Sequence, residues 1–352
     1  NDYVEDNVNN QTKIIKGISM NLEQTAGAGD YKTVTQSSWP TEGYKFNTEL
    51  SRCENGSELS WDDVNKKILM SGVSADKCYV YFDIARFDKL CNTSTLACHV
   101  AKLYTGTQGE NGIYYHNSTL ANGAGDNSYR YAGASDSVNN YICLGSDEAT
   151  CPDANLFRII GVFGDKTKVI RAKSVGDKEW NTSADNTWSS SSLNTYLNGT
   201  YLTSLGTLAE KIATTTWKVR GGSSTYLYDA PKIAYQYEVG SSALTTTNDA
   251  KIGLMYVSDY GFAAEPSAWT LTMGNYNNTT ATSTNWMYMG LYEWTISRDA
   301  GYAYGVLHVN GAGSLGSNYA SSAFGVRPVF SLTSSVNYVS GSGSAADPIS
   351  IN

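Results

Sequence analysis

The stretch "EWTISRDAGYAYGVLHVNGAGSLGSNYASSAFGVRPVF", residues 293–330, opens on a Glu-Trp pair and closes on Gly-Val-Arg-Pro. Between these ends charge is scarce. Over residues 299–323, Tyr, Asn and Ser fill nine of twenty-five positions and glycine another five. Tyr offers large, rigid contact area at low entropic cost, while Ser, Gly and Asn offer adaptable hydrogen bonds. Two readings follow: a β-rich loop built from turn-forming residues, or a displayed surface that holds a partner.

The rest of the chain has the same texture. Of 352 residues, 41% are hydrophobic and only 16% charged, and there are 26 tyrosines. Polarity therefore comes mostly from neutral Ser, Thr, Asn, Gly and Tyr, which suits strands and turns. The length is enough for two or three domains with a sizeable core. A net charge of −8 with no Lys/Arg cluster argues against nucleic acid and anionic membrane as partners.

Six cysteines fall into neighbouring pairs: Cys53 with Cys78, Cys91 with Cys98, and Cys143 with Cys151. None forms a CxxC, and His99, His116 and His308 are scattered, so a zinc site is not expected. Three local disulfides are, and with them an oxidising, extracytoplasmic location. The sequence opens at Asn1 without a signal peptide and holds no apolar run long enough to span a bilayer. We read it as an ectodomain at the cell surface whose anchor, if any, lies N-terminal to it.

Three regions are expected. Residues 1–29 should hold a helix, since Val4, Val8, Gln11, Ile15, Ile18 and Leu22 alternate four and three apart over 3–27. That seam either docks on its own protein or self-associates through 4–22 as a stalk. Residues 30–99 should form a small β-sandwich clamped by Cys53–Cys78, with "DDVNKK" as a hairpin turn. Asp62 and Asp63 are there assigned to turn hydrogen bonds. Residues 100–352 are β-rich, with a Gly-Asp hairpin in "LFRIIGVFGDKTKVIRAK". Leu193, Tyr196 and Leu197 mark a short capped helix and "SDYGFA" another. The class is α+β with elaborate loops.

No catalytic motif stands out: there is no GxSxG, HExxH or P-loop. "GAGSLG" at 311–316 follows no βαβ strand. Glu293 and His308 are the only candidates for acid–base work, and packing or a structural hydrogen bond accounts for each more simply. Asp126, Asp147, Glu148 and Asp153, in two acidic loops, are candidate ligands for a structural Ca²⁺, against turn chemistry as the alternative. No other cofactor is expected, and we expect no enzyme.

Particular segments carry a resemblance. "GLYEWTISR" followed by "FGVRPVFSL" resembles the C-type-lectin-like fold in its formylglycine-generating-enzyme, or sulfatase-modifying, branch. With "NLFRIIGVFGDKTKVI", "LNTYLNGTYLTSL", "IATTTWKVRGG" and "KIGLMYVSDYGFA", the region from about residue 100 is similar to a family of extracellular Firmicutes proteins. The resemblance implies a C-type-lectin-like domain over 100–352, with Trp294, Gly325 and Arg327 at scaffold positions. The enzyme's activity does not carry over, because its late pair of active-site cysteines has no counterpart after Cys151. Calcium-dependent sugar binding does not either, because the sugar-binding triplets are absent.

The opening stretch is most similar to the variable proteins of diversity-generating retroelements, which display a hypervariable face just before a terminal Gly-x-Arg-Pro segment. That resemblance places Arg298, Asp299, Tyr302, Tyr304, His308, Asn310, Ser314, Ser317, Asn318 and Tyr319 on a ligand-binding face. Ala303, Val306, Leu307, Val309 and Leu315 become framework. The expected function is an adhesin- or receptor-type protein whose partner is a protein or glycan at a cell or phage surface. The rivals are a structural subunit of a surface filament and, further off, an enzyme of the formylglycine-generating type.

Overall fold

The computed structural model describes the chain except for residues 1–3, 9–10, 16, 25–31, 35–43, 63–66, 73–75, 85, 92–93, 223–228, 241–244, 278 and 300. It is a mixed α+β protein dominated by sheets. The chain divides into two compact units, residues 1–91 and 92–352. The boundary expected after residue 99 thus falls earlier. The reason is the helix Leu96–Lys102, capped by Thr95 Oγ1, which accepts from Cys98 N at 3.3 Å. It packs on strands Leu156–Phe163 and Lys166–Arg171 of the second unit.

Among the described residues, strands Val4–Val8, Gln11–Ile15 and Gly17–Gln24 stand where the N-terminal helix was expected. The first two pair as a hairpin, and the third pairs antiparallel with Asp76–Ile84 from Gly17↔Asp83 to Gln24↔Asp76. The four-and-three spacing masked a second pattern, Ile18, Met20 and Leu22 two apart, and β-branched side chains favour the strand. Self-association through a helix over 4–22 is withdrawn with it. The hairpin between Glu58–Asp62 and Lys67–Ser71 forms as read, ending on Asp62↔Lys67, while Asp63 lies outside the described residues. Phe46, Val80 and Phe82 of one sheet share a core with Ile68 of the other, and Trp61 packs against it. Cys53–Cys78 joins two register partners within one sheet rather than one sheet to the other.

The second unit is built on two large sheets. In the first the order is Ile113–Tyr115, Tyr129–Tyr131, Leu156–Phe163, Lys166–Arg171, Val329–Leu332 and Ile252–Gly253, with Tyr141–Cys143 also pairing Leu156–Phe163. Phe163↔Lys166 leaves a two-residue turn whose Gly164 adopts φ +61°, a left-handed conformation that glycine takes without steric cost. In the second the order is Asp177–Glu179, Ala323–Gly325, Glu293–Asp299, Thr215–Gly222 and Thr245–Ala250. Gly305–Val309 pairs with Glu293–Asp299, and Leu315–Tyr319 pairs with Gly305–Val309. Residues 325–329, Gly-Val-Arg-Pro-Val, carry the chain from the second sheet to the first. Pro328 suits that crossing because it has no N–H to satisfy, while its carbonyl accepts from Arg171 N at 3.0 Å.

The two expected short helices are present. Ser191 caps Ser192–Tyr196, accepting from Asn194 N at 3.1 Å, and the same turn continues as a π-helix over Leu197–Tyr201. Val257–Phe262 is the other, with Asp259 accepting from Tyr256 N at 3.0 Å. Trp180, Trp188, Trp217, Trp269, Trp286 and Trp294 are all fully buried. Cys143–Cys151 is bonded, Cys91 and Cys98 are in disulfides, and no cysteine is free. Among the described residues no helix is long and apolar enough to cross a membrane.

Candidate functional site

The quoted stretch is a three-stranded β-meander, Glu293–Asp299, Gly305–Val309 and Leu315–Tyr319, whose base is locked by charge and ring packing. Arg327 grips Glu293 with two hydrogen bonds, Nε to Oε1 at 2.6 Å and Nη2 to Oε2 at 2.9 Å, and Nη2 also donates to Met287 O at 2.7 Å. Both residues are buried, so this fork holds the inter-sheet crossing against the first strand of the meander. Trp294 Nε1 donates to Lys178 O at 2.9 Å, and Thr295 Oγ1 donates to Leu307 O at 2.8 Å. Gly325, the third residue expected at a scaffold position, pairs in parallel with Glu293.

Asn186 holds the tip of the first turn. Its Nδ2 lies 2.8–2.9 Å from three carbonyls, those of Asp299, Tyr302 and Gly305, and its backbone N–H donates to Ala303 O. Nothing in "SADNTWSS" signals this, because the contact spans more than a hundred residues of sequence. Tyr302 is 57% exposed, Tyr304 39% and Tyr319 55%. Tyr304 and Tyr319 stack with centroids 4.9 Å apart and planes within 17°, and Tyr302 joins them at 5.9 Å. Ser317 is exposed beside this stack; Arg298, Asn310 and Asn318 are half-buried.

Three residues expected on the face are not on it. His308 is buried, and its ring stacks on Tyr292 at 5.6 Å and packs against Phe324 at 4.9 Å and Trp294 at 6.0 Å. His308 pairs with Gly316 on the side of the pleat opposite Ser317 and Tyr319, in a strand, Gly305–Val309, that is buried on both faces. A Cβ at Gly316 would lie 2.7 Å from His308 Cε1, so the glycine makes room for the imidazole. Burial lowers the His308 pKa to about 4, leaving the ring neutral near pH 7. Asp299 is buried and its Oδ1 accepts from Gly301 N at 2.9 Å, tying the turn. Ser314 is buried, its N–H bonded to Asn310 Oδ1. Of the expected framework, Val306, Leu307, Val309 and Leu315 are buried, whereas Ala303 is exposed.

Two features escaped the sequence. Met289, Leu291 and Tyr292, just before the Glu-Trp pair, are exposed and lead into the first strand of the meander. Elsewhere in the unit lies a buried charge network: Arg130 pairs with Asp126 at 2.6 Å and approaches Asp259 at 3.9 Å, and Lys168 reaches Asp259 at 2.5 Å. Burial opposes ionisation of Asp126, yet Arg130 and the Ser128 hydrogen bonds override it and hold the carboxyl well below its ordinary range. Burial raises Glu238 to about 8, although Ser258 donates to it from both N and Oγ. The Arg130–Asp126 pair is local, but the contacts of Arg130 and Lys168 with Asp259 join segments far apart in sequence, which no local pattern reveals.

The acidic residues expected to hold Ca²⁺ are otherwise engaged or apart. Asp126 is committed to Arg130 and Asp153 to Lys173, while Asp147 and Glu148 are on the surface. Among the described residues the one grouping of three metal-ligand types is Cys53, Asp76 and Cys78, whose sulfurs are bonded to each other. Asp76 there accepts from the backbone N–H groups of Asn55, Ser57 and Lys77.

Residues 164–334 match the family model DUF6273, described as a domain of unknown function. The match runs from the Gly-Asp turn through the meander to the end of the crossing strand, and leaves out the first unit. No curated protein and no solved structure matches the chain.

Proposed function

We propose that the protein is an extracellular, non-catalytic binding protein of adhesin or receptor type. On this reading a C-type-lectin-like scaffold presents the Tyr302–Tyr304–Tyr319 stack to a protein or glycan on a cell or phage surface. The observation that carries it is the contrast within one meander: three mutually packed, solvent-facing tyrosines stand on a frame fixed by Arg327–Glu293, Trp294 and Asn186. Aromatic side chains already ordered before binding lose little entropy on contact, which is how a few anchors come to dominate an interface. The disulfides fit an oxidising compartment. A non-catalytic role is supported by the state of the two acid–base candidates: Glu293 is held by Arg327, and His308 is packed among rings.

The same face supports a narrower reading as a retroelement-diversified surface, with Tyr302, Tyr304, Ser317 and Tyr319 as varied positions. Sequencing the DNA beside the gene tests it. An adenine-rich near-copy of the codons for 298–323 next to a reverse transcriptase is expected, and its absence removes this narrower reading. The broader one is tested by binding of the whole chain to arrayed glycans and purified surface proteins. Saturable binding to a defined array member, lost on Tyr302→Ala, is expected; binding that survives this change places the contact elsewhere.

A further inference from the structure

A cavity of about 470 Å³ opens on another part of the second unit, lined by polar and apolar residues together. Its apolar wall is Leu144, Phe157, Leu205 and Leu208, and its polar groups include Arg171, Tyr196 and Tyr201. That volume lies in the range of sites for small molecules. Arg171 is the only charged residue in the lining. Its Nε and Nη1 donate to the backbone carbonyls of Ala154, Lys173 and Ser174, and among the described residues lining the cavity there is no carboxylate. Nearby Asp153 is paired with Lys173. Tyr201 is buried, and its hydroxyl has no partner among the described residues, an arrangement that costs free energy unless a ligand or water supplies one.

The helix explains how the two tyrosines reach one cavity. Residues five apart in an α-helix point about 140° from one another at ~3.6 residues per turn. The π-helical turn Leu197–Tyr201 widens that turn, so Tyr196 and Tyr201 line the same wall with ring centroids 6.3 Å apart. Such single π-turns recur at functional sites. The Cys143–Cys151 ring constrains Leu144 and Gly145, which also line the cavity. We propose that this cavity is a second ligand site, taking a small carboxylate carried on a ring, as in an acidic monosaccharide. Its carboxylate meets Arg171, a ring oxygen or hydroxyl accepts from Tyr201 Oη, and its C–H face lies on Tyr196 and the leucines. The site is independent of the Tyr302 face.

The test titrates D-glucuronate into the full chain, followed by calorimetry or amide chemical shifts, with D-glucose and acetate as separate arms. Glucuronate should saturate with a Kd of about 1 mM, as expected for so small a ligand. Glucose, lacking the charge, and acetate, lacking the ring, should each bind at least about tenfold more weakly. Tyr201→Phe removes only the unpartnered hydroxyl; it should leave the fold intact and weaken glucuronate about fivefold, and Arg171→Gln should weaken it by about twentyfold or more. Tyr302→Ala with Tyr319→Ala should leave this titration unchanged. No saturation at tens of millimolar overturns the proposal. So does glucose or acetate binding as tightly as glucuronate, or a Kd unmoved by both Tyr201→Phe and Arg171→Gln.

Discussion

The base and the tip of one meander use their side chains in opposite ways. At its base, Glu293 and Trp294 are buried, Glu293 held by Arg327 and Trp294 donating to Lys178 O. At its tip, Tyr302, Tyr304 and Tyr319 touch one another and solvent. The base converts sequence into rigidity, and the tip spends none of its side chains on the core. A surface of this kind tolerates change in its side chains because the frame does not depend on them.

The comparison is broken most severely at Glu293. Replacing it by Ala leaves the Arg327 guanidinium buried without its carboxylate, and loss of one partner of a buried pair costs about 3–5 kcal/mol. Chemical denaturation of Glu293→Ala should show that loss; a change near zero would mean that the fork is not what holds the crossing segment. Glu238 is the contrasting buried carboxylate, because Lys168 is taken by Asp259. Its folded pKa of about 8 stands above the ordinary 4.5, so the folded state holds a proton that the unfolded chain releases. The stability this contributes is fully present below about pH 4.5 and is lost as pH rises towards 8. Glu238→Gln should therefore flatten the fall in melting temperature between these limits; an unchanged slope would show that Glu238 is ionised in the folded protein.

Asn186 holds the turn at the tip and carries the next largest effect. Asn186→Ala leaves three backbone carbonyls, two of them buried, without their shared donor, at a cost of about 1–3 kcal/mol. It should also loosen the turn bearing Tyr302, read as faster amide exchange at residues 301–305. Exchange unchanged there would mean that the turn is held by its own backbone.

Much of this was legible in the sequence. The Gly-Asp turn, the Ser191-capped helix, the local cysteine pairs and the strand at 329–332 each depend on neighbours in the chain, and local chemistry dictates them. The exposure of Tyr302, Tyr304 and Tyr319 was readable from composition. The burial of His308 was missed because the strand Gly305–Val309 is buried on both faces, so no alternation marks which of its residues face solvent. The strands over 4–24 were missed because a helical spacing and an alternating one coexist in the same residues. Asn186, the Arg130–Asp259–Lys168 network and the Tyr201 cavity join segments distant in sequence, and no local signal marks them.

The smallest expected effect on stability is also the most direct test of the central claim. The double variant Tyr302→Ala with Tyr319→Ala removes two exposed rings, and surface changes of this kind shift stability by no more than about 0.5 kcal/mol. Its melting temperature and its binding to whichever array member the wild type recognises are measured on the same sample. The account predicts an essentially unchanged melting temperature and lost binding. A variant that unfolds, or that keeps its melting temperature and binds as before, would contradict it.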